Sequence, residues 1–268
     1  QMNQRYGHRH YECTSRYRTT PTNLFEAVVS GSLDDVKSFL YPGANLDISS
    51  VTQGCPGNWS RTPLDMACIM NKLEVVQVLL QHGASPHCRN LSGSTPLHGS
   101  CTKGYLKIVE ILLEYGADLE AEIANIKGFT PLWCAVFFKK VDLVEHLLKR
   151  GSNVNISMTA GTTPLMEACC KLDFRPDDPH NVASMVRTLI EFGACLAAQD
   201  SQGFTAYDLA KKSKNRAVTT LVEKALHRRH IAFSMGEDDR LGQNSLVRSL
   251  KPELVTMILQ LADPSLYQ

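Results

Sequence analysis

Histidine, cysteine and a few aromatic residues carry whatever chemistry this chain can do, and their spacing separates catalysis and metal binding from packing. There are nine cysteines and nine histidines. His8, His10 and Cys13 lie close together, but a tetrahedral metal site needs a fourth ligand and none is obvious. Cys169 and Cys170 are adjacent, which does not suit a shared zinc ion. The sequence contains no Gly-rich phosphate loop, G-x-S-x-G turn, H-E-x-x-H pair or C-x-x-C pair. No catalytic residue, cofactor or metal is therefore expected. Cys68, Cys101, Cys134, Cys169 and Cys170 fall inside apolar helical patterns, where a free thiol acts as a small hydrophobe. Free thiols suit a reducing compartment, so a cytoplasmic location is expected, with the nucleus as an alternative. The N-x-S strings at Asn58, Asn90 and Asn155 are then chance occurrences.

The elements that position these residues belong to a folded chain. Of 268 residues, 43% are hydrophobic and 21% charged, which excludes disorder as the dominant state. The net charge of +1 excludes a whole-protein field directed at nucleic acid or anionic lipid. No apolar run reaches the roughly 18 residues of a membrane span. Gln1 to Tyr11 are polar and basic, unlike a signal peptide. The chain opens on Gln1 rather than Met, as a fragment or trimmed chain would.

A repeat organises most of the sequence. Thr-Pro-Leu begins at Thr62, Thr95, Thr130 and Thr163, in steps of 33, 35 and 33 residues, with a weaker copy, Thr205-Ala206-Tyr207, 42 residues later. Thr is a good helix N-cap and Pro suits the first helical position, where its missing N–H costs nothing. A second landmark keeps the same period: Val, an apolar pair three and four residues on, then Gly. It reads Val76, Leu79, Leu80, Gly83; Val109, Leu112, Leu113, Gly116; Val144, Leu147, Leu148, Gly151; Val186, Leu189, Ile190, Gly193. That spacing builds one buried helical face, and the Gly ends the helix in the left-handed conformation. The polar stretch that follows is expected to return as a β-hairpin finger.

Helix, turn, helix, finger, with a period near 33 and a Thr-Pro-Leu-His start at Thr95, resembles the ankyrin repeat. The resemblance spans residues 23–226 and implies an all-α solenoid of six units: 23–60, 61–93, 94–128, 129–161, 162–202 and 203–226. The first unit keeps Leu24-Phe25-Glu26-Ala27, Gly31 and Val36 and reads as a cap. The sixth has Ala206 for Pro and three lysines, Lys211, Lys212 and Lys214, which suits a terminal unit. Residues 1–22 read as a basic flexible segment. Length varies at three places: extra residues in Asp47–Ser60, two in the finger around Glu120–Lys127, and about nine between the helices of the fifth unit, at Phe174–His180, in a Pro- and Asp-rich surface loop.

The resemblance also implies a function: a scaffold or adaptor that binds a partner protein through a concave face of finger tips and first helices, without nucleic acid or membrane. The family's contact positions fall just before the Thr and seven or eight residues after it. Here they are Arg61, Ile69 and Met70; Ser94, Thr102 and Lys103; Phe129, Phe137 and Phe138; Thr162, Cys170 and Lys171. The fourth unit thus brings three aromatics to that face, with Trp133 one turn earlier and expected to pack between units. An apolar centre with lysines at its rim is expected. Asn155, directly after Val154 in a finger, resembles asparagines that are hydroxylated in some ankyrin proteins, with a structural turn role as the alternative.

After residue 226 the repeat stops. Residues 227–243 read as a linker, and 244–268 as a helical appendix whose stripe Leu246, Leu250, Leu254, Ile258 and Leu261 folds back on the last unit. The same stretch, from Ser245 through Leu246, Leu250 and Leu254, is similar to the box helix of ankyrin proteins that dock elongin. That similarity implies an alternative function as substrate-recognition subunit of a cullin-type ubiquitin ligase. Arg229-His230-Ile231-Ala232-Phe233 also fits a degenerate phosphatase-docking string.

Overall fold

Each Thr-Pro step starts a helix. The hydroxyl of Thr62 accepts the Asp65 amide at 3.1 Å, that of Thr130 the Trp133 amide at 3.4 Å, and that of Thr163 the Met166 amide at 3.3 Å. Each bond satisfies one of the four amides a helix start leaves without an internal partner. Thr205 goes further: its hydroxyl accepts the Asp208 amide while its own amide donates back to the Asp208 carboxylate at 2.9 Å, a reciprocal cap. The computed structural model describes residues 21, 23–47, 61–124, 126–170 and 179–234.

Twelve helices pair into six units among these residues. They are α1 (Leu24–Ser30) with α2 (Leu33–Ser38), α3 (Pro63–Ile69) with α4 (Leu73–Gln81), α5 (Pro96–Lys103) with α6 (Leu106–Glu114), α7 (Pro131–Phe137) with α8 (Val141–Lys149), α9 (Pro164–Cys170) with α10 (Pro179–Glu191), and α11 (Ala206–Lys212) with α12 (Arg216–Ser234). First helices pack in one row, α1 to α3 to α5 to α7 to α9 to α11, and second helices form a layer behind them. The periodic residues fill the space between layers. Val76, Leu79, Val109, Leu112, Val144, Leu147, Val186 and Leu189 are all fully buried, each contributing roughly 1.5–3 kcal/mol.

The helices of a unit are joined by a turn whose key residue is left-handed: Asn71, Gly104, Lys139 and Lys214 in the second, third, fourth and sixth units. At Gly104 the missing side chain also leaves room for a neighbour. Lys140 of the next unit lies across it, and a Cβ there would meet the Lys140 chain at 2.8 Å.

The fingers turn back as short hairpins with no strand among the described residues: the Asn90 amide donates to the Ser94 carbonyl, Met158 to Thr162 and Asp200 to Phe204, with an isolated bridge between Ile123 and Ile126. Side chains satisfy further finger amides. Asn45, Ser85, Asp118 and Asn153 each accept the amide two residues on at 3.0 to 3.3 Å. Side chains two residues later tie one finger to the next: Asp47 accepts the Ser85 amide, Glu120 the Asn153 amide at 2.8 Å, and Asn155 the Cys195 amide at 2.7 Å. Gly128 permits the closest such approach, since a Cβ there would collide with the Ser157 carbonyl.

One boundary also moves. Helix α12 continues to Ser234, into the segment read as the 227–243 linker, so the last unit ends on a helix longer than any other described. Most of the long first finger, the fifth-unit insertion except its final Pro179 and His180, the appendix at 244–268 and the cluster His8, His10 and Cys13 lie outside the described residues.

Candidate partner-binding surface

The chemistry of the third residue after each cap Thr changes along the stack, and in the second and third units it bonds to the next unit. In the third unit it is His98. Its Nδ1 accepts from the Thr95 amide at 3.3 Å and lies 2.8 Å from the Thr95 hydroxyl, so Nε2 carries the proton and donates to the Phe129 carbonyl at 3.1 Å. Burial lowers its pKa to about 4, so the ring is neutral near pH 7. It is a structural tie between units. In the second unit the position is Asp65, whose Oδ2 accepts from Arg61 at 2.9 Å and from Asn90 of the next finger at 3.2 Å. Its Oδ1 is buried without a partner, and burial outweighs Arg61, pushing the carboxyl above its ordinary value. In the fifth unit Met166 takes the place, its sulfur accepting the Thr163 amide at 3.5 Å.

In the fourth unit the position is Trp133, only 3% exposed, with an indole N–H that is buried and unpaired. It is the floor of an aromatic cluster. Its ring lies 5.2 Å from Phe129 and 5.6 Å from Phe137, near-stacked on the latter at 30°. Phe137 lies 6.2 Å from Phe129 and meets Phe138 edge-on at 5.0 Å. Phe129 precedes the cap Thr130, Phe137 ends α7 and Phe138 is its C-cap. All three are half-buried, so each keeps part of its ring in water. The spacing expected for a hot spot thus yields one contiguous patch.

The other expected contact residues are placed differently. Arg61 is engaged by Asp65 and is not a free rim charge. Ile69 packs toward Gly99 of the next unit, where a Cβ would meet it at 3.2 Å. Met70 is half-buried at the C-cap of α3. Thr102 returns its hydroxyl to the His98 carbonyl at 2.9 Å. Ser94 and Thr162 close the tight turns of their fingers, their carbonyls accepting the Asn90 and Met158 amides, and the Ser94 amide donates to the Asn90 side chain. Lys103 and Cys170 are exposed, while Lys171 and the box residues Ser245, Leu246, Leu250 and Leu254 lie outside the described residues. Asn155 is exposed, but both ends of its amide are bonded across the fingers, to Cys195 and to the Gly193 carbonyl at 3.3 Å.

Two residues at the contact register were not singled out from the sequence. Phe204 and Lys212 stand in the sixth unit at the register of Phe129 and Phe137, and Lys212 lies over the Phe204 ring at 5.0 Å. The register alone was enough to find them. Lys140 was also missed; its position over Gly104 depends on how units stack.

Among the described residues no three His, Cys, Asp or Glu side chains come together as a metal site, and no helix is long and apolar enough to cross a membrane. Burial raises the Cys134 and Cys169 thiols to about 12, so they stay protonated and pack as small apolar groups.

The sequence matches the family described as ankyrin repeats (3 copies) over residues 24–123 and 132–230. It is 28% identical over 133 residues to an ankyrin repeat protein of Rickettsia felis, covering 50% of this chain and 42% of that one. It is 32% identical over 154 residues to the B-cell lymphoma 3 protein of Homo sapiens, covering 55% and 32%. It is 32% identical over 216 residues to palmitoyltransferase ZDHHC13 of Mus musculus, covering 79% and 32%. The chain spans less than half the length of each of these relatives.

Proposed function

The chain belongs to the ankyrin-repeat family, and from that premise we propose that it is a non-enzymatic scaffold or adaptor that binds a partner protein on the face formed by its first helices and fingers. The observation that carries this is the aromatic patch of the fourth unit, where Phe129, Phe137 and Phe138 occupy contact positions and remain half open over a buried tryptophan. A first-helix terminus built for packing alone would end in polar residues; here exposure of joined rings costs free energy that a partner would recover. Desolvating one such ring supplies about 1.5–3 kcal/mol.

Pull-down from cells with the intact chain and with Phe138→Ala tests the proposal. The variant should lose its specific partner, with affinity down about tenfold or more, while its melting temperature barely moves. A lowered melting temperature with affinity spared would make Phe138 a core residue and end the proposal. The finer role of ubiquitin-ligase adaptor, through Ser245, Leu246, Leu250 and Leu254, is read in the same experiment: it requires elongin subunits among the recovered proteins, lost on Leu246→Asp.

A further inference from the structure

Charge is unevenly divided between the two helical layers. The chain as a whole carries +1. Yet among the described residues the first helices and the turns after them carry Lys72, Lys103, Lys139, Lys140, Lys211, Lys212 and Lys214 against Glu26, Asp65, Glu167 and Asp208. Asp65 is buried on Arg61, and Asp208 is folded back on Thr205. The layer that bears the aromatic patch therefore carries a surplus of positive charge.

Two of these lysines belong to one inter-unit turn. The aliphatic chain of Lys140 lies across Gly104, with Cδ and Cε 2.8 and 3.3 Å from where a Cβ would stand. The Lys140 chain thus reaches from the fourth unit to the turn of the third, and exposed Lys103 is the residue before that glycine. Neither lysine is ion-paired among the described residues. Two like charges held at one turn, beside a joined patch of rings, are complementary to an anion attached to an apolar group.

The rings narrow the choice of anion carrier. Single-stranded nucleic acid needs open ring faces on which bases stack. Here Phe137 stacks on Trp133 and meets Phe138 at 71°, so these rings are spent on one another rather than left as open stacking platforms.

We propose that the partner engages this surface as an extended acidic peptide segment, which seats a bulky apolar side chain on Phe129, Phe137 and Phe138 and a carboxylate on Lys103 and Lys140, one unit toward the N-terminus. This rests on the binding function proposed above and adds the chemistry and the direction of the ligand.

The probe is a library of short random peptides displayed on phage and panned on the full chain. One enriched peptide is then labelled, and its Kd is measured by fluorescence anisotropy. Enriched peptides should share a bulky apolar residue with Asp or Glu to one fixed side. Phe138→Ala should weaken the labelled peptide by about tenfold or more. Lys103→Glu with Lys140→Glu should weaken it by about tenfold at low salt and less at high salt. Lys in place of the peptide's acidic residue should recover binding to the doubly reversed variant. Lys103→Glu alone, at an exposed site, serves as the second variant if the double change disturbs the Gly104 contact. Peptides that depend on Phe138 but show no acidic preference and ignore charge reversal would overturn this inference and leave the binding function standing. Peptides indifferent to Phe138 would overturn the binding function itself. A labelled oligothymidine that displaces the peptide and binds more tightly would overturn the peptide assignment in favour of nucleic acid.

Discussion

Units four and six begin alike and end as opposite surfaces. Each puts a phenylalanine directly before its cap threonine, Phe129 and Phe204. In unit four the residue seven beyond the threonine is Phe137, which joins Phe129 into a patch. In unit six it is Lys212, which lays an ammonium over the Phe204 ring. With Asp208 and Ser213 standing where unit four has Trp133 and Phe138, the same register carries joined rings in one unit and a charged, solvated surface in the other. Position within the stack explains why each is tolerated. Unit four has neighbours on both sides and buries Trp133 as a floor, while α11 of unit six is the last first helix among the described residues and carries a charged, wettable surface.

The contrast can be broken most strongly at that floor. Trp133→Ala should cost about 3–5 kcal/mol in urea unfolding, the usual range for truncating a buried large aromatic, and should scatter the rings above it. A loss below about 1 kcal/mol, within the range of an ordinary surface substitution, would show that the patch does not depend on a rigid base.

Acid sharpens the comparison by separating unit four from unit three. His98 titrates near 4 when folded, below its ordinary value of 6.5, while Trp133 at the same register has no charge to gain. Between those values the unfolded chain binds the proton and the folded chain does not. The stability is therefore complete above pH 6.5 and lost as pH falls toward 4, by on the order of 3 kcal/mol. Asp65, whose carboxyl is raised by burial, works in the opposite direction: protonation on acidification relieves its cost. Denaturant titrations of the intact chain and of His98→Gln at pH 7 and pH 4.5 isolate the histidine share. Parallel pH dependence of the two proteins would remove His98 as its source.

The smallest effect is at unit six. Lys212→Ala should lower stability by only about 0.5–1 kcal/mol, the scale of an exposed cation–π contact, while making Phe204 accessible. Increased binding of a hydrophobic dye, with little change in melting temperature, is the expected result. No gain in dye binding would mean that Lys212 does not mask the ring.

The fold was legible because its signals are local and repeated. A threonine that caps, a proline that opens a helix, and a Val-x-x-Leu-Leu stripe mean the same thing in every copy, and the helix pairs fall where those signals place them. The fingers turn back as expected, through backbone bonds such as Asn90 to Ser94 and Met158 to Thr162. The sequence did not show how little strand they would hold, because side chains of Asn45, Asp118, Asn153 and Asn155 take further amides within a finger and across to the next.

The candidate site divides in the same way. The sequence by itself determined which positions face outward and that the fourth unit puts aromatics there, because register in a repeat is set by counting from the cap. Tertiary structure decided which of those positions remain available. Arg61 is claimed by Asp65, Ile69 by the glycine of the next unit, and the Lys140 chain lies over Gly104 of the third unit, beside Lys103 in sequence. Those outcomes depend on how closely neighbouring units approach and on where burial leaves a charge unpaired. Distances between units, not the order of residues within one, set both.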